Sequence, residues 1–386
     1  MKRILPVIVI AQFFCTSLWF AGNAVVAELA LRFGLKPAYL LYLSSALLCG
    51  FIMGTLFFAL FSISDRFSST KVFLISALIA GTLNFLVSVE SITIEGVFLC
   101  RFFTGFFLAG IYPVGMKIAA DNFKKDLGRS LGFLVGALVL GSAFPHLVKS
   151  MLSGLPWKYV LYTTSSLCII GGLGLYLLVP DAGIKGKGKF NAGLLWRSFK
   201  NKHFFAAAIG YFGHMWELYA FWVFVPVLLS FYEVKHPGAA INVSLWSFVI
   251  IGSGSVACVL SGIVSRSAGT ARTAIIALSL SCACCILSPI FIIWASAPVF
   301  IAFLVFWGVT VIADSPLFSS LVAQNAEPEV KGSSITIVTC IGFAITIITI
   351  QGIGAILNNE NATYIYMLLA IGPCIGLWGM LKGYKS

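Results

Sequence analysis

The sequence predicts an all-α polytopic membrane protein, with twelve transmembrane helices arranged as two pseudo-symmetric six-helix bundles. Three observations carry that prediction. First, the 386-residue chain is 60% hydrophobic and only 10% charged, where a soluble domain carries about 25% charged residues. With a mean hydropathy of +1.01 it lacks the polar surface to cover itself in water. Second, apolar runs of about 20 residues, the length that crosses a bilayer, occur twelve times. Third, the longest polar stretch, PDAGIKGKGKFNAGLLWRSFKNK at 180–202, divides those runs six and six. The expected domains are therefore a bundle at 1–180, a cytoplasmic linker at 181–202 and a second bundle at 203–386.

The first run, 4–30, begins like a signal peptide but continues without an A-x-A-like site, so it is expected to be a retained helix. It carries the polar side chains Gln12, Thr16, Ser17 and Asn23, and Trp19. Runs at 38–62 and 72–90 flank the loop SDRFSSTK at 64–71. The fourth, 94–119, contains RFFTGFFLAG with Arg101 inside the helix. The fifth, 130–150, is glycine-rich, as close helix packing requires, and the sixth spans 157–179. After the linker, which leaves room for a short amphipathic helix around Leu194–Phe199, the seventh run at 203–230 holds GYFGHMWELYAFW. The eighth, 240–264, leads into SRSAGTAR at 265–272. The ninth, 273–294, includes CACC at 282–285, which is expected to be small-residue packing, because thiolate ligation in an apolar helix needs a second shell that the sequence does not show. The tenth, 297–322, contains WGVTVIADSPLF. The last two are 333–357 and 361–382.

Lysine and arginine set the orientation. With a cytoplasmic N-terminus, nineteen fall on inner segments and five on outer ones, with Arg101 left within a helix. Both termini are thus expected in the cytoplasm, with the chain in the plasma (bacterial inner) membrane. The formal charge of +12 is mostly this topological signal, scattered over short loops rather than gathered for nucleic acid. Outer-side triplets at Asn242-Val-Ser244 and Asn361-Ala-Thr363 match a glycosylation pattern that arises easily by chance.

The halves match one another. At an offset of 203, Gly105 meets Gly308, Pro113 meets Pro316, Asn122 meets Asn325 and Ser130 meets Ser333. SDRFSSTK meets SRSAGTAR at an offset of 201. A steady offset at equivalent positions points to duplication.

Twelve spans in two repeats with a basic central loop resemble the major facilitator superfamily of secondary transporters, over essentially the whole chain. The 64–71 loop resembles the family's G-x-x-x-D-R-x-G-x-x-[RK] signature through Asp65, Arg66 and Lys71, departing at Phe61 and Ser68. Its second copy keeps Gly262, Gly269 and Arg272 but has Arg266 in the acid's place. Arg101 and Gly105 fit the R-x-x-x-G pattern of the fourth helix. The resemblance implies a cytoplasmic gate at Asp65, Arg66, Lys71, Arg266 and Arg272. It also implies that spans one, four, seven and ten line a cavity, making Trp19, Thr16, Asn23, Tyr112, Tyr211, Trp216, Tyr219 and Trp307 candidate lining residues.

The intramembrane ionisable residues are the sharper signal. Glu217 and Asp314 are the clear acids inside spans. A charge facing lipid costs about 2.5–3.5 kcal/mol on insertion scales, so each is expected to face a wet cavity, to pair with Arg101, or to hold a proton. His214, three residues before Glu217, shares its helix face. These four residues are the expected proton-coupling and substrate site. The predicted function is secondary active transport of a small amphipathic organic solute, by symport or antiport. Protons are expected to couple through Glu217 and Asp314, and no cofactor, metal, nucleic-acid partner or obligate oligomer is expected (a functional monomer). Spans two and eight lack the arginines of nitrate porters, and the fifth lacks the Gly-Pro of drug antiporters, so both subfamilies are disfavoured. The alternatives are a gradient-independent facilitator and a receptor or scaffold that keeps the fold. An enzyme is disfavoured because His146, His203, His214 and His236 are dispersed.

Overall fold

In hydrocarbon every backbone N–H and C=O must find a partner within the protein, which leaves the helix as the solution for an apolar run. The computed structural model describes residues 4–36, 41–123, 127–181, 198–327 and 331–384. The central linker and its expected amphipathic helix largely fall outside these residues. Among the described residues, eleven helical stretches are long and apolar enough to cross a membrane, and Ile4–Thr16 is a shorter apolar helix. The chain divides into two compact units, Met1–Lys189 and Phe190–Ser386.

The first unit contains α1 (Ile4–Thr16), α2 (Ala21–Ala24), α3 (Val26–Phe33), α4 (Leu41–Leu60), α5 (Ile63–Arg66), α6 (Ser69–Leu86), α7 (Ile94–Leu108), α8 (Tyr112–Asn122), α9 (Leu127–Met151) and α10 (Lys158–Leu178). The second contains α11 (Lys202–Lys235), α12 (Val243–Ala268), α13 (Thr270–Trp294), α14 (Ala297–Ala313), α15 (Ser315–Asn325), α16 (Lys331–Ile356), a 3-10 segment at Ile365–Ala370 and α17 (Ile371–Tyr384).

Three spans expected to be continuous are interrupted. The first breaks between α1 and α2, where the Leu18 and Trp19 N–H groups donate to residues three back, Cys15 and Thr16, rather than four. The fourth breaks at 109–111 and the tenth at Asp314. The last two breaks have a sequence cause. Pro113 and Pro316 each sit in the first turn of the following helix, where a missing N–H is harmless and the fixed φ helps start a new helix.

The two units repeat one another in atomic detail. A Cβ on Gly105 would collide with the carbonyl oxygen of Leu47, and one on Gly308 with that of Ile250. Leu47 and Ile250 are themselves 203 residues apart. Each glycine therefore lets the fourth helix of its repeat press backbone to backbone on the second. At the far end of each span, Asn122 donates to the Ile118 carbonyl and Asn325 to that of Leu321, both at 2.8 Å.

Polar contacts fix the first unit where apolar packing has no direction. Asn84 reaches Thr164 at 3.1 Å and Ser165 at 2.9 Å, tying α6 to α10 in the interior. At one end, Lys149 pairs with Glu28 at 3.0 Å and Lys158 with Glu90 at 2.8 Å. The second pair holds the Glu90 carboxyl below the usual range, first through the hydrogen bond from Lys158 and then through its charge.

Candidate functional site

The intramembrane ionisable groups separate between the two units. In the first unit Arg101, on α7, is fully buried and makes no ion pair among the described residues. Its Nη1 donates to Leu18 O at 3.1 Å and its Nη2 to Trp19 O at 2.7 Å, the carbonyls at the break in the first span. Gly22 supplies the room, since a Cβ there would meet Arg101 Nε at 3.1 Å. A planar fork can serve two adjacent carbonyls at once, so Arg101 fastens the broken helix from within its own unit.

This contact makes a prediction. Arg101→Leu takes the guanidinium from both carbonyls, leaving Leu18 O with the 3.4 Å bond from the Ala21 N–H; with a lost buried bond worth about 1–3 kcal/mol, it is expected to lower the unfolding temperature of the detergent-solubilised protein strongly. Arg101→Lys keeps the charge but reaches only one carbonyl, and is expected to fall between. If Arg101→Lys matched wild type in thermal unfolding yet was inactive, the clamp role would be wrong.

The second unit holds all three remaining groups. Glu217 is fully buried at the middle of α11. Its Oε1 accepts from Trp307 Nε1 at 2.6 Å and from Cys285 Sγ at 3.2 Å, and its Oε2 accepts from Ser281 Oγ at 3.0 Å. Three donors from α13 and α14 thus converge on one carboxyl group. Phe221 packs on Trp307 with ring centroids 4.5 Å apart and Phe303 at 5.8 Å, fixing the indole that aims the shortest of these bonds.

His214 is one turn away on α11, yet its partner is Asp314 rather than Glu217. His214 Nδ1 lies 2.7 Å from Asp314 Oδ1, with both side chains buried. The approach lies off the axis of a ring N–H, and neither group has another hydrogen-bond partner among the described residues. The backbone at Asp314 explains the meeting. It stands between α14 and α15, and its carbonyl accepts the Phe318 N–H at 2.9 Å as α15 begins.

The candidate lining residues lie as follows. Tyr211 packs beside His214 with ring centroids 6.1 Å apart, and Tyr219 packs on Trp222 and Phe343 at 5.1 and 5.2 Å. Trp216 donates to Leu368 O at 3.0 Å, while Trp307 belongs to the Glu217 nest itself. In the first unit, Trp19 packs on Phe51 at 4.9 Å and Thr16 donates to Gln12 O at 2.8 Å. Asn23 donates to Ser44 at 2.7 Å, and Tyr112 opens α8, half-buried. Of the candidate gate residues, Arg66, Lys71, Arg266 and Arg272 are exposed; the side chain of Asp65 lies outside the described residues.

Sequence reasoning missed Ser281 and Cys285. Their four-residue spacing in SLSCACC places both on one face of a helix, which was a readable signal. CACC, read as packing alone, in fact supplies a donor to a buried carboxyl. Among the described residues there is no cluster of three or more potential metal ligands.

A family model described as the Major Facilitator Superfamily matches residues 8–350. A search of curated protein sequences finds no match. Among solved structures, the chain is similar to a point mutant of the nucleoside transporter NupG, with 16% identity and a TM-score of 0.74, covering 99% of this chain and 100% of that one. It is also similar to the human organic anion transporter MFSD10 (TETRAN), at 13% identity and a TM-score of 0.73, covering 98% and 99%. A bacterial homologue of the human lysosomal transporter Spinster, in an inward-facing and unoccupied conformation, matches at 13% identity and a TM-score of 0.65, covering 100% and 95%.

Proposed function

The chain belongs to the major facilitator superfamily, a multi-pass membrane transporter of some substrate, and from that premise we propose that it is a proton-coupled secondary active transporter of a small amphipathic organic solute. The observation that carries this reading is the gathering of Glu217, His214 and Asp314 within one unit, buried and on the seventh and tenth spans. The equivalent positions of the first repeat, offset by 203, are Phe14, Ala11 and Ile111. A backbone that duplicated with such fidelity has ionisable groups at these positions in one copy only. Packing does not require them, and a charge there is costly, so a task that uses protonation accounts for them best.

In this reading the proton resides on the Glu217 and His214–Asp314 groups, and the two units expose the site to each side of the membrane in turn. Trp19, Thr16, Asn23, Tyr112, Tyr211, Trp216 and Tyr219 supply the amphipathic surface for solute, and the basic loops at Arg66, Lys71, Arg266 and Arg272 the cytoplasmic gate. Both termini are cytoplasmic, the membrane is the plasma membrane, and the monomer is the working form. Two of the similar structures are a nucleoside transporter and an organic anion transporter, so those two classes head the panel to be tried, with amphipathic cations beside them.

The test is uptake of that panel into proteoliposomes under an imposed pH gradient. Accumulation above equilibrium that collapses with a protonophore is expected for at least one class. Flux that a protonophore leaves unchanged would replace this reading with the gradient-independent facilitator.

A further inference from the structure

The face of α13 that holds Glu217 also carries a thiol the coupling scheme leaves unused. Cys282 follows Ser281 and precedes Cys285 by three residues, and its sulfur lies 3.6 Å from that of Cys374 on α17. The two thiols differ in access. Cys282 is buried, whereas Cys374 is exposed on a face shared with Ile371, Ile375 and Trp378, which are 44, 53 and 60% exposed. In a membrane such an apolar face meets lipid. The helices around the pair are already interlocked. A Cβ on Gly372 would strike Gly213 and Trp216 of α11, and one on Gly376 would meet Leu278 of α13 at 3.0 Å. Cys374 sits between those two glycines.

We propose that Cys282 and Cys374 form a redox modification site, closed to a disulfide by a lipid-soluble hydroperoxide, that locks α13 to α17 beside the Glu217 nest. The Cys374 sulfur attacks the terminal peroxide oxygen. The O–O bond breaks, the lipid alcohol leaves with the thiol proton, and Cys374 becomes a sulfenic acid. The Cys282 sulfur then attacks that sulfur, the S–S bond forms, and the hydroxyl leaves as water with the Cys282 proton. Two thiols lose two electrons and two protons, and the hydroperoxide becomes alcohol and water. The sulfurs must close from 3.6 Å to about 2.05 Å. Cys282 is poised to capture the sulfenic acid before further oxidation.

The lock itself does not depend on proton coupling; only its consequence for transport rests on that reading. With α13 tethered, Ser281 and Cys285 lose freedom to move relative to Glu217.

The experiment treats the protein in lipid nanodiscs with cumene hydroperoxide and maps peptides by mass spectrometry without reduction. The expected result is a linked Cys282–Cys374 peptide, removed by dithiothreitol and accompanied by a rise of a few degrees in unfolding temperature. In Cys282→Ser the sulfenic acid at Cys374 is expected to persist and be trapped by dimedone. Wild type that yields no linked peptide, or Cys374 carried to sulfinic acid without a link, would overturn the proposal. So would a link that leaves the unfolding temperature unchanged. The mapping in wild type stands even if a variant fails to fold. In proteoliposomes the oxidised protein is expected to transport at least tenfold more slowly than after reduction. Failure of the proton reading would appear separately, as protonophore-insensitive flux in the reduced protein.

Discussion

Glu217→Gln is expected to abolish pH-gradient-driven accumulation while leaving a folded protein. Glutamine has the shape of glutamate, and its carbonyl oxygen accepts from Trp307 and Cys285 as Oε1 does now. Its amide nitrogen then faces Ser281, whose hydroxyl already has the Leu278 carbonyl at 3.1 Å as an alternative acceptor and can turn to accept. The Trp307, Cys285 and Ser281 donors all keep acceptors and one amide N–H has Ser281, while the second amide N–H has no named acceptor, so the stability loss should stay near the low end of about 1–3 kcal/mol. What is lost is the proton site. Accumulation should fall to the equilibrium level, with downhill exchange of substrate preserved. Glu217→Leu is the contrasting variant. It leaves the Trp307 N–H buried without its acceptor, at a cost of about 1–3 kcal/mol, and should lower both stability and activity. Wild-type accumulation and pH dependence in Glu217→Gln would sink the assignment of Glu217 to coupling.

The largest structural effect is expected from Gly105→Leu or Gly308→Leu. Overpacking a core commonly costs about 1–3 kcal/mol because side chains give way. Here the obstruction is the backbone carbonyl of Leu47 or Ile250, which can move only with its helix. Either substitution should force the second and fourth helices of its repeat apart. The measurement is the monodisperse fraction in detergent size-exclusion chromatography, expected to be mostly lost for leucine and partly retained for alanine. Comparable loss at both positions would show that the duplicated contact does the same work in each unit. A well-behaved Gly308→Leu protein would mean that the α12–α14 approach is not needed for folding.

These two expectations differ in how they could have been found. Gly105 and Gly308 were visible as a pair in the sequence, since duplication writes its register into both copies. What each glycine touches was not visible, because a helix presents a glycine to any neighbour. The nest around Glu217 was half legible. The acid stood out against an apolar run, and Trp307 was a candidate. Ser281 and Cys285 looked like ordinary small residues of a packed span. Spacing puts His214 on the helix face of Glu217, but α14 ends at Asp314 and its carboxylate lies against the imidazole. Arg101 shows the same limit more sharply. Its burial in a helix suggested an acidic partner, and the partners are two carbonyls freed by a break that hydropathy does not record.

The sequence by itself determined the membrane class, the spans, the repeat and the identity of the costly residues. All of these follow from transfer energies and periodicity along one dimension. Only the tertiary structure decided which buried polar group satisfies which. That choice depends on where neighbouring helices stop, break and face one another. In hydrocarbon a polar group left without a partner is penalised whoever that partner is, so composition demands a partner without naming it.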